Sequence, residues 1–339
     1  MFQLFLKMFT ICVILSCFVI CHCDGYELTL ISDEQWPQPY YMHYDAATHS
    51  LYFTDYAARQ ILRFDFHKKR TYRATIEDNI ITSFIIPVQG EKNKFAICYN
   101  FTVAIIEWNG KEKIAKFDQD EFTVQPAQNN PVTGWDYGKM SPNYEFYGGS
   151  FRVNMCSKSP GTRNAAFYHY TRPIYKHLRV SGAFDWDVKN KYLYLCDTCG
   201  RVIRQFKWDP KTGNIYDERI VYTLENPESD LVMPHGMTID RDGCLYIAYY
   251  SGGKVVKVDP RTSKKVKEFY LPVKGVSLIT FGGPHWDTLF VATQRVPFEL
   301  STGKLYLDNS EGSGSIYAIK NIKAKGYPSR KYRSIIRND

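Results

Sequence analysis

Apolar and polar positions alternate in short runs along this chain, and one run keeps returning. It is an apolar and aromatic stretch of strand length, followed by a turn and a second strand. It reads Leu51-Tyr52-Phe53-Thr54-Asp55, Phe95-Ala96-Ile97-Cys98 and Phe146-Tyr147-Gly148-Gly149. It returns as Leu193-Tyr194-Leu195-Cys196-Asp197, Leu245-Tyr246-Ile247-Ala248 and Leu289-Phe290-Val291-Ala292. Successive starts lie about 44, 51, 47, 52 and 44 residues apart. A period of roughly 40–50 residues built of short strands is the signature of propeller blades. Six such units fill the chain. The pattern therefore predicts an all-β fold, a six-bladed β-propeller with four-stranded antiparallel blades around a central channel. A ligand site is expected in that channel.

The fifth unit displays the pattern most plainly. Gly236 to Asp240 alternates with Met237 and Ile239 inward, and Arg241-Asp242-Gly243 is a hairpin turn. Cys244 to Tyr249 is the next strand, Ser251-Gly252-Gly253 turns again, and Lys254 to Asp259 follows. Pro260 ends that strand because it offers no donor to a ladder. The fourth unit (Gly182 to Trp208) and the first (Tyr41 to Phe66) repeat this order, and helix signals are nearly absent. A late strand at Gly312 to Ile319 has Tyr26 to Ile31 as its natural partner, so the two chain ends are expected to share a blade.

The first residues do not belong to this pattern. Lys7 precedes an apolar stretch from Met8 to Ile20, and Cys21-His22-Cys23 follows. This reads as a secretion signal, residues 1–23, with cleavage before Asp24. The stretch is short of the ~20 residues a membrane span needs, and no transmembrane segment is expected elsewhere. The remaining residues, 24–339, are expected to form a single propeller domain, because each blade needs neighbours to bury its faces. Aromatic residues make up 16% of the chain, as suits packing between blades.

Removal of the signal leaves five cysteines, Cys98, Cys156, Cys196, Cys199 and Cys244. An odd number cannot pair completely. The lone pair Cys196-x-x-Cys199 sits at a strand end and turn, which favours a local disulfide or buried thiols over zinc or redox chemistry. The net charge of +8 is mild, and the seven Lys and Arg from Lys320 to Arg337 form a basic C-terminal tail, read as a solvated surface. No nucleic-acid motif is present. Asn100-Phe101-Thr102 is a glycosylation sequon, so Asn100 is expected to make this a glycoprotein, modified on the outer rim of the second blade.

Several runs resemble a known family. Met233-Pro234-His235-Gly236-Met237-Thr238-Ile239-Asp240 with Gly252-Gly253-Lys254-Val255-Val256 is one. Phe281-Gly282-Gly283-Pro284 before Leu289-Phe290-Val291, and Lys139-Met140-Ser141-Pro142 before Phe146-Tyr147-Gly148-Gly149-Ser150, are others. The chain is similar to the senescence-marker-protein, gluconolactonase and luciferin-regenerating-enzyme group, the regucalcin-like family. The resemblance implies a six-bladed propeller, a hydrolase acting on lactones, and one divalent cation in the channel. Such a cation polarises a carbonyl and lowers the pKa of bound water, while a carboxylate takes the proton.

Carried onto this chain, the family's ligand positions fall on Tyr40, Asp136, Gly182 and His235, with Glu34 displaced from the first by about six residues. The two substrate-contacting positions fall on Gly134 and Asn154. Only Asp136 keeps an oxygen ligand of the expected kind, so the scaffold is kept and the site is rewritten. Asp136 and His235 are the candidate catalytic residues and the candidate ligands of a calcium or zinc ion. His235 could equally act as a metal-free general base or bond a carbonyl. Tyr40, Tyr41, Trp135, Tyr137, Asn154 and Gly182 are candidate channel-lining residues. For the aromatic ones, packing between blades is the competing role. The expected function is hydrolysis of a lactone by an altered mechanism. The alternative is a non-catalytic propeller that binds a small molecule or an extracellular partner.

Overall fold

The structure, a computed structural model, describes residues 12–15, 18–23, 25–125, 132–152, 156, 165–178, 180–225, 231–297 and 304–336. β1 (Cys12–Leu15), β2 (Phe18–Cys23) and β3 (Tyr26–Leu30) run antiparallel in succession. β4 (Pro39–Asp45), β5 (Ser50–Asp55), β6 (Gln60–Asp65) and β7 (Arg70–Ile76) form an antiparallel meander. β8 (Ile85–Pro87), β9 (Lys94–Tyr99), β10 (Thr102–Glu107) and β11 (Ile114–Thr123) form a second. Two parallel residue pairs, Ile114 with Thr75 and Ala115 with Ile76, join these meanders into one eight-stranded sheet.

Three four-stranded sheets follow. The first comprises β12 (Val132–Met140), β13 (Phe146–Arg152), β14 (Ala165–His169) and β15 (Arg172–Leu178). The next holds β16 (Ser181–Asp187), β17 (Tyr192–Asp197), β18 (Val202–Trp208) and β19 (Ile215–Thr223). The third holds β20 (Met233–Ile239), β21 (Leu245–Tyr250), β22 (Lys254–Asp259) and β23 (Lys264–Tyr270). The last sheet runs β24 (Val276–Gly282), β25 (Thr288–Thr293), β26 (Ile316–Lys320), β3, β2, β1, so both chain ends share it. The only helical element among the described residues is a single 3-10 turn, Glu77–Asn79, and no described helix is long and apolar enough to cross a membrane.

These sheets make an all-β propeller. The first strands of successive meanders lie side by side at the centre: β24 against β4 and β20, and β16 against β20 and β12. The recurring apolar phrase is the second strand of each meander, β5, β9, β13, β17, β21 and β25. That strand is flanked by partners on both edges and by neighbouring sheets on both faces. β5, β21 and β25 are accordingly buried at every position, which is why the phrase reads as a continuous apolar run.

Aromatic rings fill the space between sheets. Trp135 meets Phe101, Phe146 and Tyr168, and Tyr147 meets Trp186. Aspartates close the turns by accepting backbone N–H bonds a few residues on. Asp65 takes those of His67 and Lys68, Asp187 that of Asn190, and Asp240 those of Asp242 and Cys244.

The C-terminal segment keeps Lys320, Lys323, Lys325, Arg330 and Arg333 exposed, while its backbone and a few side chains pin it to the propeller. The amide of Gly326 donates to the Trp286 carbonyl, and that of Arg241 to the Lys325 carbonyl. Arg330 reaches Tyr144, and Lys331 pairs with the buried Asp45 at 3.0 Å. The Tyr332 amide donates to the Pro87 carbonyl and the Gln89 amide to that of Tyr332. Glu121 receives the Tyr332 hydroxyl, the Ser334 hydroxyl and the Ile335 amide. Asp45, Pro87 and Asp240 stand at the far ends of first strands, so this strap crosses one face of the propeller.

Tyr332 is fully buried. Tyr332→Ala is expected to cost about 3–5 kcal/mol, and Tyr332→Phe, which removes only the bond to Glu121, about 1 kcal/mol. Urea denaturation checks both. Equal midpoints for wild type and Tyr332→Ala would show that the strap adds nothing to stability.

Candidate active site

The inner strands do not run straight through the centre. Near its N-terminal end each of five inner strands slips register against its partner. On β4, Tyr40 faces Thr54 and Met42 faces Phe53, so Tyr41 is the extra residue, and its φ of 35° marks the kink. On β12, Trp135 faces Ser150 and Tyr137 faces Gly149, so Asp136 is extra. On β20, register is lost between Pro234 and Met237, across His235. β16 slips between Ser181 and Phe184, and β24 between Val276 and Ile279. A bulge of this kind re-aims a side chain that strict alternation would send elsewhere.

Here the bulges bring three residues together. The Tyr40 hydroxyl donates to Asp136 Oδ1 at 2.8 Å and lies 3.2 Å from His235 Nε2. Its ring meets that of His235 edge-on, with centroids 5.7 Å apart. Asp136 and His235 are 5% and 3% exposed, while Tyr40 is half-buried. Two of their atoms, Asp136 Oδ2 and His235 Nδ1, are buried with no hydrogen-bond partner.

Burial sets the electrostatics. It pushes the Asp136 carboxyl up to about 7, against the lowering effect of the Tyr40 bond. It pushes the His235 imidazole down to about 4, so that ring is neutral at neutral pH. The Tyr40 phenol is raised well above its ordinary value by burial, then by the Asp136 charge and bond.

The other sequence-derived candidates lie elsewhere. Trp135 and Tyr137 flank Asp136 and turn into the packing between sheets, Tyr137 against Tyr41 and Phe184. Tyr41 packs on Phe84 as well. Gly182 stands beside the centre, but a Cβ there would lie 2.6 Å from Thr198 Oγ1 and 3.0 Å from the His235 carbonyl oxygen. No larger residue fits without movement. A Cβ on Gly134 would lie 2.6 Å from the Asn100 carbonyl oxygen. Glu34 is tied to Arg73 on the outside. Asn154 lies outside the described residues. Asn100 is exposed, in the β9–β10 turn, and its carbonyl accepts the Trp135 amide at 2.9 Å. The sequon therefore sits beside the inner strand of the next sheet rather than on the outer rim.

Residues that the sequence did not single out complete the surroundings. The Tyr250 ring lies 5.6 Å from His235, and its hydroxyl donates to Gln294 Oε1 at 2.9 Å. Tyr56 is close enough for the Asp136 charge to raise its phenol further, after burial and Cys98. Cys196 lies beneath, bonding the Pro234 carbonyl at 3.2 Å. Its neighbour Cys199 forms a disulfide with Cys156, and Cys98, Cys196 and Cys244 are free and buried. The doublet Tyr249-Tyr250 ahead of a Gly-rich turn, like Tyr40-Tyr41 after Pro39, is a signal by which Tyr250 could have been found.

Comparison with known proteins places this centre in a lineage. Residues 42–295 match the family model described as the SMP-30/Gluconolactonase/LRE-like region. The chain belongs to this family. Regucalcin of Bos taurus is 26% identical over 294 residues, covering 85% of this chain and 92% of that protein. A solved luciferin-regenerating enzyme superposes with a TM-score of 0.81 at 21% identity, covering 91% of this chain and 100% of that one. A calcium-binding protein, regucalcin, from Agrobacterium tumefaciens gives 0.73 at 14% identity, covering 90% and 96%.

The residues present do not make a calcium set. Calcium takes 6–8 oxygens, and here one carboxylate faces a phenol, an imidazole and a glycine. The Tyr40 hydroxyl itself bonds both Asp136 and His235, which uses their facing atoms. Zinc wants about four ligands in tetrahedral array, and Asp136 and His235 supply two. Among the described residues no group of three or more His, Cys, Asp or Glu could hold a metal ion.

The two shifted groups bend stability in opposite directions. Between 3.8 and about 7, folded Asp136 holds a proton that the unfolded chain has lost, so its contribution falls as pH rises. Between about 4 and 6.5, unfolded His235 holds a proton that the folded protein refuses, so its contribution rises with pH. Each amounts to roughly 3–4 kcal/mol, and in wild type they largely cancel. Relative to wild type, Asp136→Asn is expected to gain stability from about pH 4.5 to 6.5, and His235→Gln to lose it. Urea midpoints at the two pH values check this, and parallel behaviour of the two variants would contradict it.

Proposed function

We propose that this protein is a secreted six-bladed propeller that hydrolyses a small cyclic ester at the Tyr40–Asp136–His235 centre. The reaction runs through Asp136 rather than through a calcium ion. Six blades follow if the eight-stranded sheet is counted as the two meanders that its edge pairs join, and β24, β25, β26 and β3 as one blade. Secretion is supported by the apolar leader and by the Cys156–Cys199 disulfide, a bond that persists in oxidising compartments. The exposed Asn100 turn suits glycosylation.

The observation that carries the reading is the pair of open atoms, Asp136 Oδ2 and His235 Nδ1, on either side of one tyrosine hydroxyl. Buried polar atoms are completed by water or a ligand. Asp136 titrates near neutrality, where a general base works best. A water at Oδ2 gives its proton to Asp136 as its oxygen attacks the lactone carbonyl carbon. The ring carbon–oxygen bond then breaks, and the proton on Asp136 passes to the departing ring oxygen, leaving a hydroxy acid. Tyr40 holds Asp136 by its other oxygen, and His235 holds Tyr40.

Turnover of uncharged γ- and δ-lactones is expected to survive chelator and to fall by at least about a hundredfold in Asp136→Asn. Tyr40→Phe removes the bond that lowers the Asp136 pKa, so the rising limb of its pH–rate profile moves to higher pH. Activity that appears only with added calcium, or that Asp136→Asn leaves intact, would overturn the mechanism. Gly134 and Gly182, which leave two family positions without side chains, favour a second reading, a propeller that binds without turnover. A bound small molecule recovered with the protein, together with no hydrolysis of any lactone, would select it.

For secretion, N-terminal sequencing of protein recovered from the culture medium of expressing cells is expected to begin at Asp24. Retention of residues 1–23 in the recovered protein would contradict the leader assignment.

A further inference from the structure

Proton counting around Tyr40 says what kind of group completes the centre. A phenol has one proton, and once the Asp136 carboxyl is ionised this one goes to Asp136 Oδ1. The 3.2 Å contact to His235 Nε2 is then donated by the imidazole. That places the ring proton on Nε2 and leaves Nδ1 a bare acceptor. Asp136 Oδ2 is an acceptor too, and both atoms are buried without partners. Two open acceptors call for a donor.

Charge points the same way. Lys139 pairs with Asp185, Arg204 with Asp197, Lys257 with Asp240 and Lys331 with Asp45. Asp136 takes part in no ion pair among the described residues, and the influences on it are burial and the Tyr40 bond alone. A buried carboxylate with no cation is costly, so Asp136 alone keeps its proton to higher pH, and a bound cation removes the cost of ionising it. The surroundings are aromatic: Tyr40 and Tyr250 lie within 5.7 Å and 5.6 Å of the His235 ring, with Tyr56 near enough to feel the Asp136 charge. Aromatic rings around one carboxylate are the chemistry that recognises an organic ammonium group.

We propose that this centre binds a small primary ammonium ion, which donates to Asp136 Oδ2 beside the rings of Tyr40 and Tyr250. The site shares only its location with the proposed hydrolysis. An amine seated there displaces the water from Asp136, so it binds whether or not the protein turns over a lactone.

Isothermal titration of the mature protein with benzylammonium, benzyl alcohol, benzoate, benzyltrimethylammonium and calcium tests this. Benzylammonium is expected to bind at least about tenfold more tightly than benzyl alcohol, the margin of one buried charge pair. Benzoate is expected not to bind, and benzyltrimethylammonium, which has the charge without N–H donors, to bind more weakly. Asp136→Asn should lose at least tenfold, and Tyr250→Leu should weaken binding while leaving the preference order unchanged. The ligand series in wild type decides the matter even if a variant fails to fold. Equal heats for the ammonium and the alcohol, tighter binding of benzoate, an unchanged Asp136→Asn, or a centre that takes calcium and refuses benzylammonium would each overturn the proposal. Because the readout is heat of binding, failure of lactone turnover leaves it standing, and its own failure leaves the hydrolysis test intact.

Discussion

The hydroxyl of Tyr40 has a single proton, and two buried groups face it. Ionised Asp136 accepts it, and His235 then gives rather than takes. From that follow the tautomer of His235 and the two open acceptors, and among the described residues no ion pair satisfies the carboxylate. In a buried centre such requirements are strict, because an unpaired polar atom costs on the order of 1–3 kcal/mol. The chemistry of the site is therefore fixed by hydrogen-bond bookkeeping more than by any metal ligand set.

The scaffold makes this arrangement possible through its bulges. An inner strand without one would present residues 40, 136 and 235 according to simple alternation. The slips at Tyr41, Asp136 and His235–Gly236 instead converge three side chains from β4, β12 and β20. The strap of residues 322–336 touches the opposite ends of the first strands, through Asp45, Pro87 and Asp240. One end of the propeller thus carries polar chemistry, and the other carries the strap.

Much of the fold was legible because the second strand of every meander is buried on both faces. That burial writes an uninterrupted apolar phrase at each repeat, from Leu51–Asp55 to Leu289–Ala292. The outer strands were harder to read, since β19 and β23 are largely exposed and carry mixed residues. Tyr40, Asp136 and His235 were named from resemblance, yet their contact was not visible in the sequence. Bulges leave no pattern in alternation, and a Tyr in a ligand position looked like a loss rather than a replacement. The sequence allows Trp135 and Tyr137 either a channel-lining role or packing between blades, and they pack against Phe146 and Phe184. Tyr250 and Gln294 escaped notice because their distance from Tyr40 along the chain hides their closeness in the ring. The partner of Cys199 was equally hidden: Cys196 is near in sequence, but its thiol turns inward to the Pro234 carbonyl.

The protonation state of His235 is the most direct test of this account. Nitrogen NMR of the labelled imidazole, recorded above neutral pH where Asp136 is ionised, distinguishes the two ring nitrogens. The account predicts a proton on Nε2 and a bare Nδ1, with the Nε2 signal shifting when Tyr40 is replaced by Phe. A proton on Nδ1, or a ring indifferent to the loss of the Tyr40 hydroxyl, would contradict it.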